Sequence, residues 1–181
     1  MSQPLPAGAE GLSMADIQEC IDRQQIHYIL MLYSHGIDRC DIDFLKQVFW
    51  PDATCDYSGE ALNAYEWAAS TVAGLSTMER TQHSVSNYLL TVDGDAAQCE
   101  SYCTAYHLIK GEDGSLTDMV VGGRYLDQIE KRDDEWRISS RYYVMDWNQN
   151  IPSTGEWSDG MLGGLNTGSR APTDPYYSVI K

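Results

Sequence analysis

The sequence predicts an α+β fold, with N-terminal helices packed across one face of a curved antiparallel sheet, and three observations carry that expectation. Helical periodicity dominates up to Arg80; beyond it, stretches rich in Tyr, Val, Thr and Ile alternate in polarity. Those stretches are divided by Asp93-Gly94-Asp95, Gly111 to Gly114 and Asp133-Asp134, which suit tight turns. Helices first and long hairpins afterwards argue for segregated layers. Closing such layers into a cone leaves a cavity between sheet and helices.

Residues 1–12 carry prolines and glycines without periodicity and read as a flexible leader. From Ser13, with Asp16 three residues on as a capping box, the run MADIQECIDRQQIHYILMLYSHG reads as a long, largely buried helix closed by Gly36. Ile17, Ile21, Tyr28 and Leu32 form its apolar stripe, widened by Ile26, Ile29, Leu30 and Tyr33. A shorter helix, DIDFLKQVF, is stopped by Pro51, and ATCDYSG follows as a short strand. NAYEWAASTVAGLS reads as a third helix with Trp67 and Leu75 inward. Strands over 82–92, 96–110, 117–130 and 135–147 then form an antiparallel meander. The domain proper is expected over 13–147, and the stretch 148–181, punctuated by Gly, Pro and Ser, as a lid over the cavity or an arm to a partner subunit.

A chain of 181 residues, 43% hydrophobic, can bury one substantial core. A formal charge of −15 repels phosphate backbones and anionic membrane surfaces, which sets nucleic acid and membranes aside as partners. No apolar stretch reaches the length of a membrane span, and Met1 to Glu10 lacks the basic start and apolar run of a signal peptide, so the cytoplasm is the expected compartment. Cys20, Cys40, Cys55, Cys99 and Cys103 are odd in number and form no C-x-x-C pair, which fits reduced, buried thiols. Metal ligation is not expected, because H-E-x-x-H and histidine pairs at ligand spacing are missing. Phosphate loops and G-x-S-x-G elbows are missing too, and Gly122-Gly123 lies mid-strand, where it marks a bulge or bend.

The layout brings Asp38, past the end of the first helix, toward His83, at the start of the first long strand. A carboxylate beside an imidazole orients the ring and supports its charged form, so that the histidine can take up and release a proton near neutral pH. Each residue also has a plainer reading: a helix-terminal turn for Asp38, a strand-end histidine satisfied by backbone for His83. Tyr33 could direct its hydroxyl into the same cavity or simply pack in the core. His107 shares a strand face with Cys103, and His83 shares one with Val85, Asn87 and Leu89. Arg137 and Arg141 alternate with Ser139, so one of them could meet an anion or a developing oxyanion, a salt bridge being the alternative for Arg137. Trp50, Trp67, Trp147 and the many tyrosines suit a flat hydrophobic substrate, or plain core packing.

The segments YSHGID, FWPDATCDYSG, TQHSVSNYLLTVDGDAA, GGRYLDQIEKRDDEWRISSR and a final DPYY together resemble SnoaL-like proteins of the NTF2 superfamily, over about Asp16 to Tyr177. The resemblance implies a cone-shaped α+β barrel, a homodimer or homotrimer, and a ligand cavity inside. Within that superfamily the sequence is similar to scytalone dehydratase, bile-acid and hydroxysteroid dehydratases and a dehydrochlorinase, which share a facing Asp and His. The resemblance places Asp38 and His83 on that pair. Tyr33 and Arg141 fall on the tyrosine and arginine that accompany it in the bile-acid enzymes, while Tyr57 and His107 fall on a second pocket tyrosine and histidine of the scytalone type. With Asn87, Trp50 and Trp147, the last two residues complete the expected substrate-binding set. The implied activity is a cofactor-independent lyase that eliminates water from a hydrophobic cyclic substrate such as a hydroxysteroid. Formaldehyde-releasing lyases acting on lignin-derived diaryl propanediols, and the small non-catalytic subunits of aromatic-ring dioxygenases, are relatives that supply two further readings.

Overall fold

The computed structural model describes residues 11–180. The expected leader therefore lies outside the described residues except for Gly11 and Leu12. Helix α1 (Met14–Arg39) starts as its capping box predicts: the Asp16 amide donates to Ser13 Oγ at 3.2 Å, and the Ser13 amide donates to Asp16 Oδ2 at 2.7 Å. Such an N-cap contributes about 1 kcal/mol.

The helix ends later than expected. It runs past Gly36 to Arg39 and is closed by Cys40 in the left-handed conformation, with φ of 51°. Gly36 serves close packing instead: a Cβ there would lie 3.1 Å from Phe44 Cβ and Leu45 Cδ2, both on α2 (Ile42–Val48). The buried face also differs from the expected stripe. Ile17, Ile21 and Tyr28 are 41%, 46% and 62% exposed, whereas Leu32 and the widening positions Ile26, Ile29, Leu30 and Tyr33 are buried as expected, joined by Ile37. Asp22 lies on the buried face, where Trp136 Nε1 and Lys131 Nζ both donate to its Oδ1.

Strand β1 (Phe49–Asp56) starts earlier than expected and contains Pro51; β2 (Ala61–Asn63) follows, then α3 (Ala64–Leu75), capped by Asn63. Trp67 and Leu75 are buried as expected. The meander comprises β3 (Arg80–Asp93), β4 (Ala96–Lys110), β5 (Leu116–Arg132) and β6 (Glu135–Pro152). Its turns fall at the expected positions, with Gly94, Asp133 and Asp134 all at positive φ. The six strands lie in the order β2-β1-β6-β5-β4-β3. All neighbours are antiparallel except β1 and β6, so the curved sheet is mixed, and it remains open with β2 and β3 as edges. Helices α1 and α3 bury their apolar faces against its concave side, where Cys99, Cys103, Tyr125, Ile129 and Ile138 complete the core.

Beside a shift in β1 between Phe49 and Thr54, three register shifts within the meander re-aim side chains. One at Ser86–Asn87 breaks the alternation of β3, a second lies at Ser139, and a third, opposite the Gly122–Gly123 pair, is the bulge that those glycines predict. Beyond β6 the chain returns across the C-terminal end of α1 and finishes in a short helix, α4 (Tyr176–Val179). No helix among the described residues is long and apolar enough to cross a membrane.

Candidate active site

The last turn of α1 delivers Asp38 to the start of β3. His83 Nδ1 lies 2.8 Å from Asp38 Oδ1, the His83 amide donates to Oδ2 at 2.8 Å, and the Thr81 hydroxyl donates to Oδ1 at 2.9 Å. Burial alone would raise the Asp38 pKa, but the His83 ring, the amide and the hydroxyl outweigh it and hold the carboxyl below its ordinary value. An ionised carboxylate only accepts hydrogen bonds, so a neutral His83 carries its proton on Nδ1. Its Nε2 is left without a hydrogen-bond partner among the described residues, beside a cavity of about 190 Å³ that His83 lines.

The cavity is mostly aromatic. Tyr57 is stacked between Trp67 and Tyr143, with ring centroids 4.7 and 4.9 Å apart. Its hydroxyl lies 3.2 Å from that of Tyr33. Burial raises the pKa of both phenols, so at neutral pH each is a protonated donor. His107 meets the His83 ring edge to face at 5.3 Å. Burial, reinforced by His83, pushes His107 down to about 4, which keeps it neutral at physiological pH. Its buried Nδ1 has no hydrogen-bond partner among the described residues.

Four of the expected site residues lie elsewhere. Arg141 is fully buried behind the cavity wall: its Nε and Nη2 donate to the two oxygens of Asp127 at 2.7 and 2.8 Å. Its guanidinium carbon is 4.1 and 4.0 Å from the ring centres of Tyr33 and Tyr125, which separate it from the cavity. Asn87 is exposed, because the bulge at Ser86–Asn87 turns it outward, and Leu89 is 75% exposed. Trp50 donates to the Glu130 carbonyl at 3.1 Å and stacks against the guanidinium groups of Arg132 and Arg137, away from the cavity. Trp147 is half exposed over Gly122, where a Cβ would collide with its indole. Arg137 takes the salt bridge anticipated for it, to Glu135. Cys20 is exposed, while Cys55, Cys99 and Cys103 are buried; all five thiols are free.

Sequence reasoning missed Thr81, Tyr125 and Tyr143 as individual site residues and left Trp67 between substrate contact and core; it lines the cavity. Thr81 and Tyr125 carried a signal: Thr81 shares the inward phase of His83, and Tyr125 alternates with the inward Gly123 and Asp127. It also missed Arg170 of the returning tail, which donates to the carbonyls of Asp38 at 2.6 Å, Leu75 at 3.1 Å and Met78 at 3.4 Å. This tail covers a second, polar cleft of about 660 Å³, whose lining includes Asp38, Thr81 and His83. Among the described residues, no three His, Cys, Asp or Glu side chains converge as metal ligands would.

An open cone of helices on a curved sheet, with an Asp-His pair beside an aromatic cavity, defines an NTF2-like protein. More narrowly, the chain belongs to the SnoaL-like domain family, whose profile matches residues 18–142. It is similar to an uncharacterized protein of Mycobacterium tuberculosis, 29% identical over 135 residues, a span of 71% of this chain and 88% of that protein. Among solved structures it is similar to a type 2 hexachlorocyclohexane dehydrochlorinase, with a TM-score of 0.68 and 18% identity over 80% of this chain and 97% of that one. It is also similar to a candidate scytalone dehydratase from Novosphingobium aromaticivorans, with a TM-score of 0.64 and 20% identity over 75% of this chain and 91% of that one. At these identities the two structures establish the shared fold.

Proposed function

We propose that the protein is a cofactor-independent lyase that eliminates water from a flat, hydrophobic, hydroxylated ring compound such as a hydroxysteroid. The observation that carries this reading is the His83 ring, fixed through Nδ1 by an ionised Asp38 while Nε2 stays open beside an apolar cavity. Nε2 removes a proton from the carbon next to the one bearing the hydroxyl. The C–H electron pair becomes the second bond of the alkene, and the hydroxyl departs. Its departure as water needs one proton, supplied by the His83 imidazolium or by the Tyr33–Tyr57 pair, whose phenols burial keeps protonated. The charged ring is balanced by Asp38, and the cavity wall excludes water that would compete for the proton. The dehydrochlorinase and candidate dehydratase that share the fold have names denoting eliminations, which supports the same class.

Self-association as a dimer or trimer belongs to this proposal, since Tyr102, Leu126 and Tyr142 stand exposed on neighbouring strands. Light scattering of the purified chain tests it, and a monomer would remove it.

The decisive experiment is mass spectrometry of purified protein incubated with hydroxysteroids and diaryl propanediols, alongside His83→Asn. A product lighter by one water, formed by the wild type and not by the variant, is expected. Release of formaldehyde from a propanediol would replace dehydration with C–C cleavage, the same dyad then deprotonating a hydroxyl. No turnover of any compound would leave a ligand-binding or scaffold role.

A further inference from the structure

The cleft under the tail has a charge pattern that dehydration does not use. The chain carries 27 acidic against 12 basic residues, and of its eight arginines six hold a carboxylate. The two without a carboxylate at ion-pair distance among the described residues, Arg80 and Arg170, both line this cleft. Scarcity of acidic partners does not explain them. Arg170 is committed to the three carbonyls at the ends of α1 and α3. Arg80 makes one hydrogen bond, from Nη1 to the Gly168 carbonyl at 2.8 Å, and its guanidinium carbon stands 5.3 Å from the centre of the Trp157 ring. A guanidinium has about five N–H donors, so most of those on Arg80 are open. Glu79 and Glu156 also line the cleft, and neither pairs with it; Glu156 instead accepts from the Met161 amide.

We propose that this cleft binds a carboxylate at the far end of the substrate, with Arg80 as its counter-ion, while the cyclic end enters the cavity at His83. The substrate class is then an amphiphilic ring acid, an assignment that rests on the lyase reading above. His83 is the one residue shared by the linings of cavity and cleft. The cavity, about 190 Å³, is small: an apolar cavity of roughly 150 Å³ takes up one benzene, so a longer molecule does not fit whole, and the cleft that shares His83 offers it room. There a carboxylate meets a planar guanidinium already oriented by Gly168 and Trp157, an arrangement suited to bidentate pairing. Against a net charge of −15, an anion is recognised only where such a local cation offsets the field.

The test is calorimetric titration of the full chain with biphenyl-4-carboxylate and its neutral carboxamide. The acid is expected to bind about tenfold more tightly, the factor of one charge-assisted hydrogen bond. In Arg80→Gln that advantage disappears while carboxamide binding stays within about twofold, which also reports an intact fold. Should Arg80→Gln bind neither probe, Arg80→Lys decides: a retained preference for the acid supports the subsite, and its loss overturns it. Equal binding of both probes to the wild type, no binding of the acid, or an undiminished preference in Arg80→Gln overturns it as well. Because the readout is equilibrium binding, the lyase reading can fail for want of turnover without altering this result.

Discussion

Two carboxylates face the same interior, and each holds a basic side chain on a neighbouring element, yet they do different work. Asp127 and Arg141 are direct partners across β5 and β6, neither side chain exposes any surface, and the guanidinium is closed in by Tyr33 and Tyr125. Asp38 binds His83 at a similar distance, but the imidazole presents its second nitrogen beside a cavity. Arginine stays charged throughout the physiological range, whereas histidine changes charge within it. The sealed pair fixes the packing of the wall; the open pair is the one to which the proposed function gives the proton transfer. The difference lies in the chemistry of the base and in one unblocked ring atom, because burial alone would have ranked the two pairs the other way.

Breaking each pair should separate these roles. Asp127→Ala strands the Arg141 charge in the core and should cost about 3–5 kcal/mol in urea unfolding; a loss under about 1 kcal/mol would show that the pair does not hold the wall. His83→Asn, whose amide can still donate to Asp38, should lower kcat by about 10²- to 10⁴-fold and shift unfolding by no more than about 1 kcal/mol. Unchanged turnover there would remove the dyad from the mechanism. Tyr57→Phe deletes the hydroxyl partner of Tyr33, which stands between the two pairs, and should reduce kcat by about two- to tenfold with little change in melting. An unaffected rate would confine Tyr57 to stacking.

The smallest effect concerns His107. Its folded pKa of about 4 lies below the ordinary imidazole value of 6.5, so between those values the unfolded chain takes up a proton that the folded one refuses. Stability should therefore fall as pH drops from 6.5 toward 4, and His107→Gln should flatten that slope in thermal melts. His35, also lowered by burial, keeps part of the slope in the variant. The contribution of Asp38 has the same sign and a lower window, being complete above 3.8 and lost as pH falls through its lower folded value. A slope identical in wild type and variant would mean that folding does not lower the His107 pKa.

Turn chemistry made the meander legible: β4 begins and ends where alternation and the flanking Asp-Gly and Gly-rich segments place it. The inward face of α1 was not legible in the same way, because Asp22, held by Trp136 and Lys131, occupies a core position that polarity assigns to water. The parallel pairing of β1 with β6 left no local mark either, since it depends on where β1 docks after α2. In the site, spacing alone left Asp38 and His83 with plainer readings, and the family resemblance paired them. Asn87 failed for a physical reason: one extra residue in a strand reverses every later side chain, and a polar bulge looks like ordinary alternation. Arg141 lies behind the cavity wall rather than in it, because the strand register brings it opposite Asp127.

The Arg170 clasp on the carbonyls of Asp38, Leu75 and Met78 has an electrical consequence. Carbonyls at a helix end are otherwise satisfied by water. Here one guanidinium from the returning tail takes the place of solvent at three backbone carbonyls, among them that of Asp38 itself. With mobile dipoles removed, the local dielectric falls, and the attraction between Asp38 and a protonated His83 strengthens in proportion. The returning tail is thus part of the insulation around the Asp38–His83 pair.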